Sequence, residues 1–592
     1  MFVQQLAQAA ATAVSTLYAQ HIEPSAFTIN KTRKEFTGDY TLVVFPVVKI
    51  SKKSPDATAN DIGQELIRLL PVIESYNIVK GFLNLSLKQS FWLDFAATHW
   101  HDSFYGTKPI LSSDNPYLIE FSSPNTNKPL HLGHIRNNLL GASLANIQKA
   151  NGHHVVRVNL VNDRGIHICK SMLAWQKWGG GETPESAGLK GDHLVGKYYV
   201  AFDKQYKAEI ASLIENGQER EVAEKQAPAI KEAQLMLVAW ENADEHVREL
   251  WSKMNNWVYD GFAITYKNLG IEFEKTYYES NTYLLGKEII QEGLQKGVFT
   301  QRTDGSVWVD LTADGLDEKL VLRADGTSVY ITQDLGTAQL RYAEFHPQKM
   351  TYVVGNEQIY HFDVLKLILK KLEKPFADGI FHLSYGMVEL PQGKMKSREG
   401  TVVDADDLID EMIATAKSTT EELGKIEEFD TEEAQQLYRM IGLAALKYYI
   451  LKVDPKKTML FNPQESIDFN GNTGPFIQYT HARIRSVVRK AGEWKWDDAR
   501  QISLNSHEQN LLRNLYEYPA TVEQAGIENS PALIANYVFE LAREYNQFYH
   551  EVSILRETED DLRNFRIALS SFTGNVLKQG MGLLGIEVPE RM

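Results

Sequence analysis

Hydrophobic and polar positions repeat with different periods in successive stretches of the chain. Over the first twenty residues Phe2, Leu6, Ala10, Val14 and Leu17 fall at helical spacing, which predicts an amphipathic helix. Gln4, Gln5 and Gln8 interrupt the apolar run that a secretory leader needs. YTLVVFPVVKI (residues 40–50) reads as strand, and Ser54, Pro55 and Asp56 then open a helix with a capping hydroxyl and an early proline. A small α+β unit is expected over residues 1–112.

From about residue 116 the pattern becomes strand (117–121), a loop rich in Asn and Pro, helix (135–150), Asn151 and Gly152 as a stop, and strand again (154–161). Strand, helix and strand in that order make a βαβ unit, hence a parallel sheet flanked by helices. After Gly179, Gly180 and Gly181 a charged stretch, about 180–260, has the helical period and is expected to be an insertion. GSVWVDL, SVYITQD, MTYVVG and FHLSYGMVEL read as strands alternating with helices, so the α/β domain is expected over 113–404. Beyond it nearly every segment is helical, divided into a connector (405–455) and an all-α bundle (456–592).

Composition narrows the class. With 592 residues, 43% hydrophobic and 10% aromatic, the chain is sized for about four domains with packed cores, which excludes a small binding module and global disorder. The 62 basic and 77 acidic residues leave a net charge of -15, which excludes a protein that coats nucleic acid with its whole surface but permits one basic face. KISKK (49–53) and RIRSVVRK (483–490) are the basic runs, and such runs usually mark a solvated face. A single cysteine, Cys169, excludes an intrachain disulfide and a zinc site built on paired cysteines, so no zinc is expected. No apolar run reaches the ~18 residues of a membrane span, so the expectation is a cytoplasmic protein without membrane contact.

The most specific chemical signal is SSPNTNKPLHLGHIRNNLLG (122–141), between the first strand and helix of the βαβ unit. His131 and His134, three apart, would project from one side of the first helical turn, and Gly133 lacks the Cβ that would keep a planar base away. Helix amides and two imidazoles meeting there suit charge that develops on a phosphate. A chain of this composition would show His-x-Gly-His roughly 0.03 times by chance, and a pair of satisfied core histidines is the plain alternative. A second signal, GMVELPQGKMKSREGTVVDADDLIDE (386–411), carries Lys394, Lys396 and Arg398 on a loop after the last strand. Alone it is an exposed basic loop; across the sheet from the histidines it would supply cations to a departing pyrophosphate.

Two further patterns have a functional and a plain reading. Phe476, Tyr479 and Arg483 share one helical face, which suits stacking on unpaired bases, although an aromatic stripe is more often core. GDHLVGK (191–197) has the spacing of a phosphate-binding loop. Tyr198 nevertheless stands where Ser or Thr should hold magnesium, and no strand precedes it, so a helix is expected there.

Together the two signature segments resemble those of the class I aminoacyl-tRNA synthetases, and their neighbours narrow the resemblance to the arginyl-tRNA synthetases. IEFSSPNTNKPLHLGHIRNNLLG puts His131, Leu132, Gly133 and His134 on the four positions of that family's HIGH motif. DGTSVYITQDLG, YVVGNEQIYH, GMVELPQGKMKSREGTVV, GNTGPFIQYTHARIRSVVRKAG and the closing LLGIEVPERM follow as family blocks in the right order, so the resemblance spans nearly the whole chain. It departs at the second signature: Lys394 and Met395 match, but Lys396, Ser397 and Arg398 stand where Ser, Lys and Ser are usual. Lys128, or the displaced Lys396 and Arg398, would then replace the missing lysine.

The resemblance implies a multidomain α/β protein. Its parts would be a Rossmann-like parallel-sheet catalytic domain with a helical insertion, an N-terminal α+β domain that contacts the tRNA elbow, and a C-terminal all-α bundle that binds the anticodon. It implies ATP-dependent attachment of L-arginine to the 3'-terminal ribose of tRNA(Arg) through arginyl-adenylate, with Mg2+ arriving on ATP and a monomeric enzyme. The family typically needs tRNA bound before activation. By resemblance His131, His134 and Lys394 are catalytic, and Gly133, Lys128, Met395 and Lys396 line the ATP site. Glu120 and Asn125 would take the α-amino and carboxylate end of arginine; Tyr330 and Asp334 would hold its guanidinium, with Gln358 nearby in the arginine site; Phe476, Tyr479 and Arg483 would face tRNA. A buried carboxylate that accepts two parallel N–H bonds is also the chemical means of telling a guanidinium from an ammonium. Two rivals stand beside this reading. A nucleotidyltransferase with an H-x-G-H loop would leave the flanking units unemployed, and a catalytically inactive tRNA-binding paralogue is opposed by the intact His131, His134 and Lys394.

Overall fold

The computed structural model describes residues 2–33, 35–110, 115–389, 403–422, 429–496 and 502–592. They divide into two compact units, one from Met1–Tyr105, Ile484–Tyr518 and Arg543–Val576, the other from Gly106–Arg483, Pro519–Ala542 and Leu577–Met592.

In the first unit the helix Phe2–Tyr18 buries Phe2, Leu6, Ala10 and Val14, four residues of the predicted face. Ser54 caps the helix Pro55–Leu69 by accepting the Ala57 amide at 3.3 Å. Strands Ile29–Lys31, Tyr40–Val43, Phe82–Leu87 and Ile73–Val79 form, in that order, an antiparallel sheet. One expectation fails here: of residues 40–50 only Tyr40–Val43 is strand, and Phe45–Ser51 is helix. Pro46 sits in its first turn, where a missing N–H costs nothing, and Val47 turns into the core. Burial of that face outweighs the β preference of Val and Ile. Arg513 on the helix Ser506–Tyr516 pairs with buried Asp39, which ties C-terminal helices into this unit.

In the second unit five strands run parallel in the order Ile380–Tyr385, Lys349–Gly355, Tyr117–Glu120, Val155–Val161, Lys275–Tyr278. Leu118, Val158, Met350 and Ile380 from these strands share one core with Leu335 and Leu365 from the helices Tyr330–Phe345 and Ile359–Lys371. The chain first extends the sheet to one side of Tyr117–Glu120 and later to the other. The order therefore reverses at this central strand, which opens a crevice at the carboxyl ends. SVYITQD, expected as strand, instead opens the helix Tyr330–Phe345. Ile331, Leu335 and Ala338 recur at helical spacing and all enter the core, so burial over the longer window overrides the local β propensity. GSVWVDL supplies Val307–Val309 to a separate three-stranded antiparallel sheet.

The insertion is helical, and its last helix, Glu245–Leu269, runs past the expected end. GDHLVGK lies within the helix Gly191–Glu215. Its glycines serve packing: a Cβ at Gly191 would lie 2.0 Å from the Trp257 carbonyl oxygen, and one at Gly196 2.8 Å from Pro129 Cδ. From Ala405 onward the long elements are helices, among them Ala405–Glu422, Thr431–Leu451, Gly474–Ala491, Pro531–Glu551 and Asp560–Leu583. Among the described residues no helix is long and apolar enough to cross a membrane.

Candidate active site

Beyond the central strand the chain turns through Ser122 and Ser123, both at positive φ (77° and 46°), before the helix Leu132–Ala150 begins. Non-glycine residues hold such a conformation only when their surroundings impose it. The Ser122 amide donates to Asn137 Oδ1 at 2.5 Å, the Ser123 amide to Asn159 Oδ1 at 3.0 Å, and the Ser122 hydroxyl meets the Tyr266 hydroxyl at 2.7 Å. Asn137 also donates to the Val353 carbonyl at 2.7 Å, which locks the helix to the neighbouring strand.

His131 is the N-cap of that helix. Its Nδ1 accepts the Gly133 amide at 3.1 Å, and His134 Nδ1 accepts the His131 amide at 3.2 Å, a reciprocal cap. A ring nitrogen that accepts carries no proton, so in each neutral imidazole the N–H is at Nε2. Burial pushes His131 down to about 4, and burial together with the neighbouring His131 holds His134 well below the ordinary histidine range; the Lys128 charge acts the same way on both. The pair, 3.9 Å apart between ring centroids, is therefore neutral at physiological pH and offers two Nε2 donors beside helix N-terminal amides. A Cβ on Gly133 would lie 3.0 Å from His131 Cε1, so the glycine makes room for the His131 ring itself.

Glu120 ends the central strand. It is buried and ion-paired with buried Arg341, while its Oε1 accepts the Ser123 hydroxyl at 3.2 Å. Burial alone would favour neutral Arg341, but the Glu120 carboxylate, together with Tyr352 and Tyr277, outweighs that and raises its pKa. Asn125 is exposed and bridges to Asn162 through the backbone. Tyr330 and Asp334 share one face of the helix Tyr330–Phe345, with Tyr330 80% exposed. Asp334 is not the sealed carboxylate that the chemistry suggested: its side chain is 35% exposed, and His361 Nε2 lies 2.6 Å from its Oδ2. Gln358 is exposed in the turn after the strand Lys349–Gly355. Glu279, just after the strand Lys275–Tyr278, is pushed up to about 7 by burial, with Arg164 opposing and Asp163 and Asp334 adding to the rise.

Sequence reasoning missed Arg341, His361 and Glu279. Arg341 lies seven residues after Asp334, on the same helical face, and His361 closes YVVGNEQIYH, so both carried a signal. Glu279 carried none, because only the sheet brings it towards Asp334.

Lys128, Pro129, Leu130 and His131 line a cavity of about 220 Å³ whose other walls come from the insertion helix Gly191–Glu215 and from Asp404. Lys394, Met395 and Lys396 lie outside the described residues. On the helix Gly474–Ala491, Phe476 packs on Phe539 at 5.5 Å between centroids, and the Arg483 guanidinium lies 4.9 Å from the centre of the Tyr479 ring. All three are partly exposed, so the stripe is neither fully core nor fully surface.

Three family descriptions match successive parts of the chain. They are the Arginyl tRNA synthetase N terminal domain over residues 4–87, the catalytic domain of tRNA synthetases class I (R) over 105–462, and the DALR anticodon binding domain over 477–592. An arginine–tRNA ligase of Bacteroides fragilis (strain YCH46) is 59% identical over 586 residues, 98% of each chain. One of Parabacteroides distasonis is 56% identical over 593 residues, 100% of this chain and 99% of the other. The solved arginyl-tRNA synthetase of Thermus thermophilus matches the structure with a TM-score of 0.82 at 25% identity, covering 100% of both chains. The signature histidines, the reversed parallel sheet and these full-length likenesses agree: the chain belongs to the arginyl-tRNA synthetase family of class I, and its activity is ATP-dependent arginine–tRNA ligation.

Proposed function

We propose that amino acid activation takes place at the amino end of the helix Leu132–Ala150. A carboxylate oxygen of arginine attacks the α-phosphorus of MgATP in line; the new P–O bond forms as the bond to pyrophosphate breaks. The Nε2–H groups of His131 and His134 donate to oxygens whose charge grows in that transition state, with Lys128 beside them. Lys394 and Lys396 are assigned to the departing pyrophosphate, and Gly133 and Met395 to the adenine side. The terminal ribose hydroxyl of tRNA(Arg) then attacks the acyl carbon and releases AMP. Positioning and electrostatics carry such chemistry, so no covalent enzyme intermediate is needed.

In this reading Glu120 and Asn125 hold the α-amino and carboxylate end of arginine, and Asp334, with Tyr330 and Gln358 around it, accepts the guanidinium on the edge that His361 leaves open. Phe476, Tyr479 and Arg483 meet the anticodon loop, residues 1–112 meet the tRNA elbow, and the enzyme works as a cytoplasmic monomer. The observation that supports the reading best is the reciprocal cap, because it leaves two neutral imidazoles with their donors at Nε2.

The test is arginine-dependent ATP–pyrophosphate exchange, with and without tRNA(Arg), for the wild type, Asp334→Ala and His134→Ala. Exchange that needs arginine and tRNA and is lost in both variants is expected. Undiminished exchange in His134→Ala would remove the histidines from the chemistry, and tRNA binding without exchange in the wild type would favour a scaffold.

A further inference from the structure

We infer that Asp406 is a positioning residue for His131, through which the helical insertion holds the first signature in working geometry. The inference rests on the activation role proposed for His131. Its first support is backbone pairing. The Leu132 amide donates to the Val403 carbonyl at 3.1 Å, the Ala405 amide donates to the Leu130 carbonyl at 3.0 Å, and His131 thereby faces Asp404 across a short antiparallel bridge. His131 is the helix cap, so its backbone decides where both imidazoles stand.

The second support is what Asp406 touches. Its Oδ2 accepts from Lys190 Nζ and lies 3.0 Å from His193 Nε2, and its Oδ1 accepts the Thr265 hydroxyl at 2.9 Å. Lys190 and His193 belong to the start of the helix Gly191–Glu215 and Thr265 to Glu245–Leu269, so all three partners come from the insertion. Asp404 caps the turn between them: its Oδ1 accepts the Asp406 amide at 2.8 Å. Lys190 Nζ also lies 3.2 Å from the buried carboxylate of Asp192, so the chain itself places a cation among Asp192, His193 and Asp406.

The third support lies on the other side of the signature. Gly196 lets the same insertion helix rest on Pro129, two residues before His131. The insertion thus grips the signature directly at Pro129 and, through Asp406 and its paired segment, at Leu130 and Leu132. Charge-assisted bonds hold such a contact in one geometry, and a packed network passes a displacement on rather than absorbing it.

The test uses the full chain and compares Asp406→Asn, Asp406→Glu, Thr265→Val and His131→Ala. Exchange and aminoacylation kinetics, tRNA binding and thermal melting are measured for each. Asp406→Asn is expected to lower the kcat of exchange about tenfold or more, since misplacement by ~1 Å is worth roughly that or more, with KM for arginine and Kd for tRNA within about twofold. Asp406→Glu should recover part of the loss, and Thr265→Val, the milder change, should lose about threefold, the cost of one weak hydrogen bond. An unchanged kcat in folded Asp406→Asn, a loss that only follows the folded fraction, a rise in KM alone, or recovery on adding divalent cation would each overturn the inference. If His131→Ala keeps its kcat, the activation reading falls and takes this inference with it. If His131→Ala loses its kcat while Asp406→Asn does not, the inference alone falls.

Discussion

Arg341 is 1% exposed and its guanidinium forms an ion pair with Glu120, 6% exposed, at the carboxyl end of the central strand. Removing one member of such a pair leaves an uncompensated charge in the interior. Arg341→Met is therefore expected to cost about 3–5 kcal/mol, seen as a lower melting temperature. Glu120 would also lose its fixed position, so KM for arginine should rise in whatever Arg341→Met protein remains folded. A melting temperature within one degree of the wild type would contradict this.

The two signature histidines predict a pH dependence with a definite sign. Both are held below the ordinary value of 6.5, His131 at about 4, so in that window the unfolded chain binds more protons than the folded one. Their contribution is complete above about 6.5 and is lost as pH falls below it, for His131 through about 4, by up to roughly 1.4 kcal/mol per pH unit for each histidine. Melting temperatures from pH 7 down to pH 5 should fall less steeply in His134→Gln than in the wild type. Parallel curves would show that other groups govern acid stability.

Gly196→Ala offers a test in which the sign decides. At an exposed helix position alanine is better than glycine by about 1 kcal/mol. Here the new methyl would lie 2.8 Å from Pro129 Cδ, so the variant should be less stable and should lose kcat as the signature loop is pushed. A stabilised, fully active Gly196→Ala protein would mean that the helix does not bear on the loop.

The lone cysteine should be inert. Burial pushes the Cys169 thiol up to about 12, so at pH 8 only roughly one molecule in 10⁴ carries a thiolate there. Iodoacetamide should label it only after unfolding in guanidinium, and mass spectrometry should find the native protein unmodified after an hour. Rapid labelling of native protein would place the thiol on an open surface.

Much of this was legible beforehand because it depends on neighbours in the chain. Ser54 with Pro55 marks a helix start by local capping, and alternation between strand and helix after residue 116 is enough for a parallel sheet. His131 and His134 could be placed together at a helix start because their geometry arises within one helical turn. Short β-rich windows misled at Phe45–Ser51 and Tyr330–Phe345, where burial on a helical face outweighed propensity.

The sequence by itself determined the βαβ start of the parallel sheet, the helical character of the insertion and of the C-terminal part, and the presence of the histidine signature, since periodicity and spacing act over a few residues. Only the tertiary structure decided who neutralises whom. Arg341 opposite Glu120, His361 against Asp334, and Asp406 held by Lys190, His193 and Thr265 all join residues far apart in the chain. A buried charge must find its counter-charge in space, and no local pattern in a single chain records which distant residue that will be.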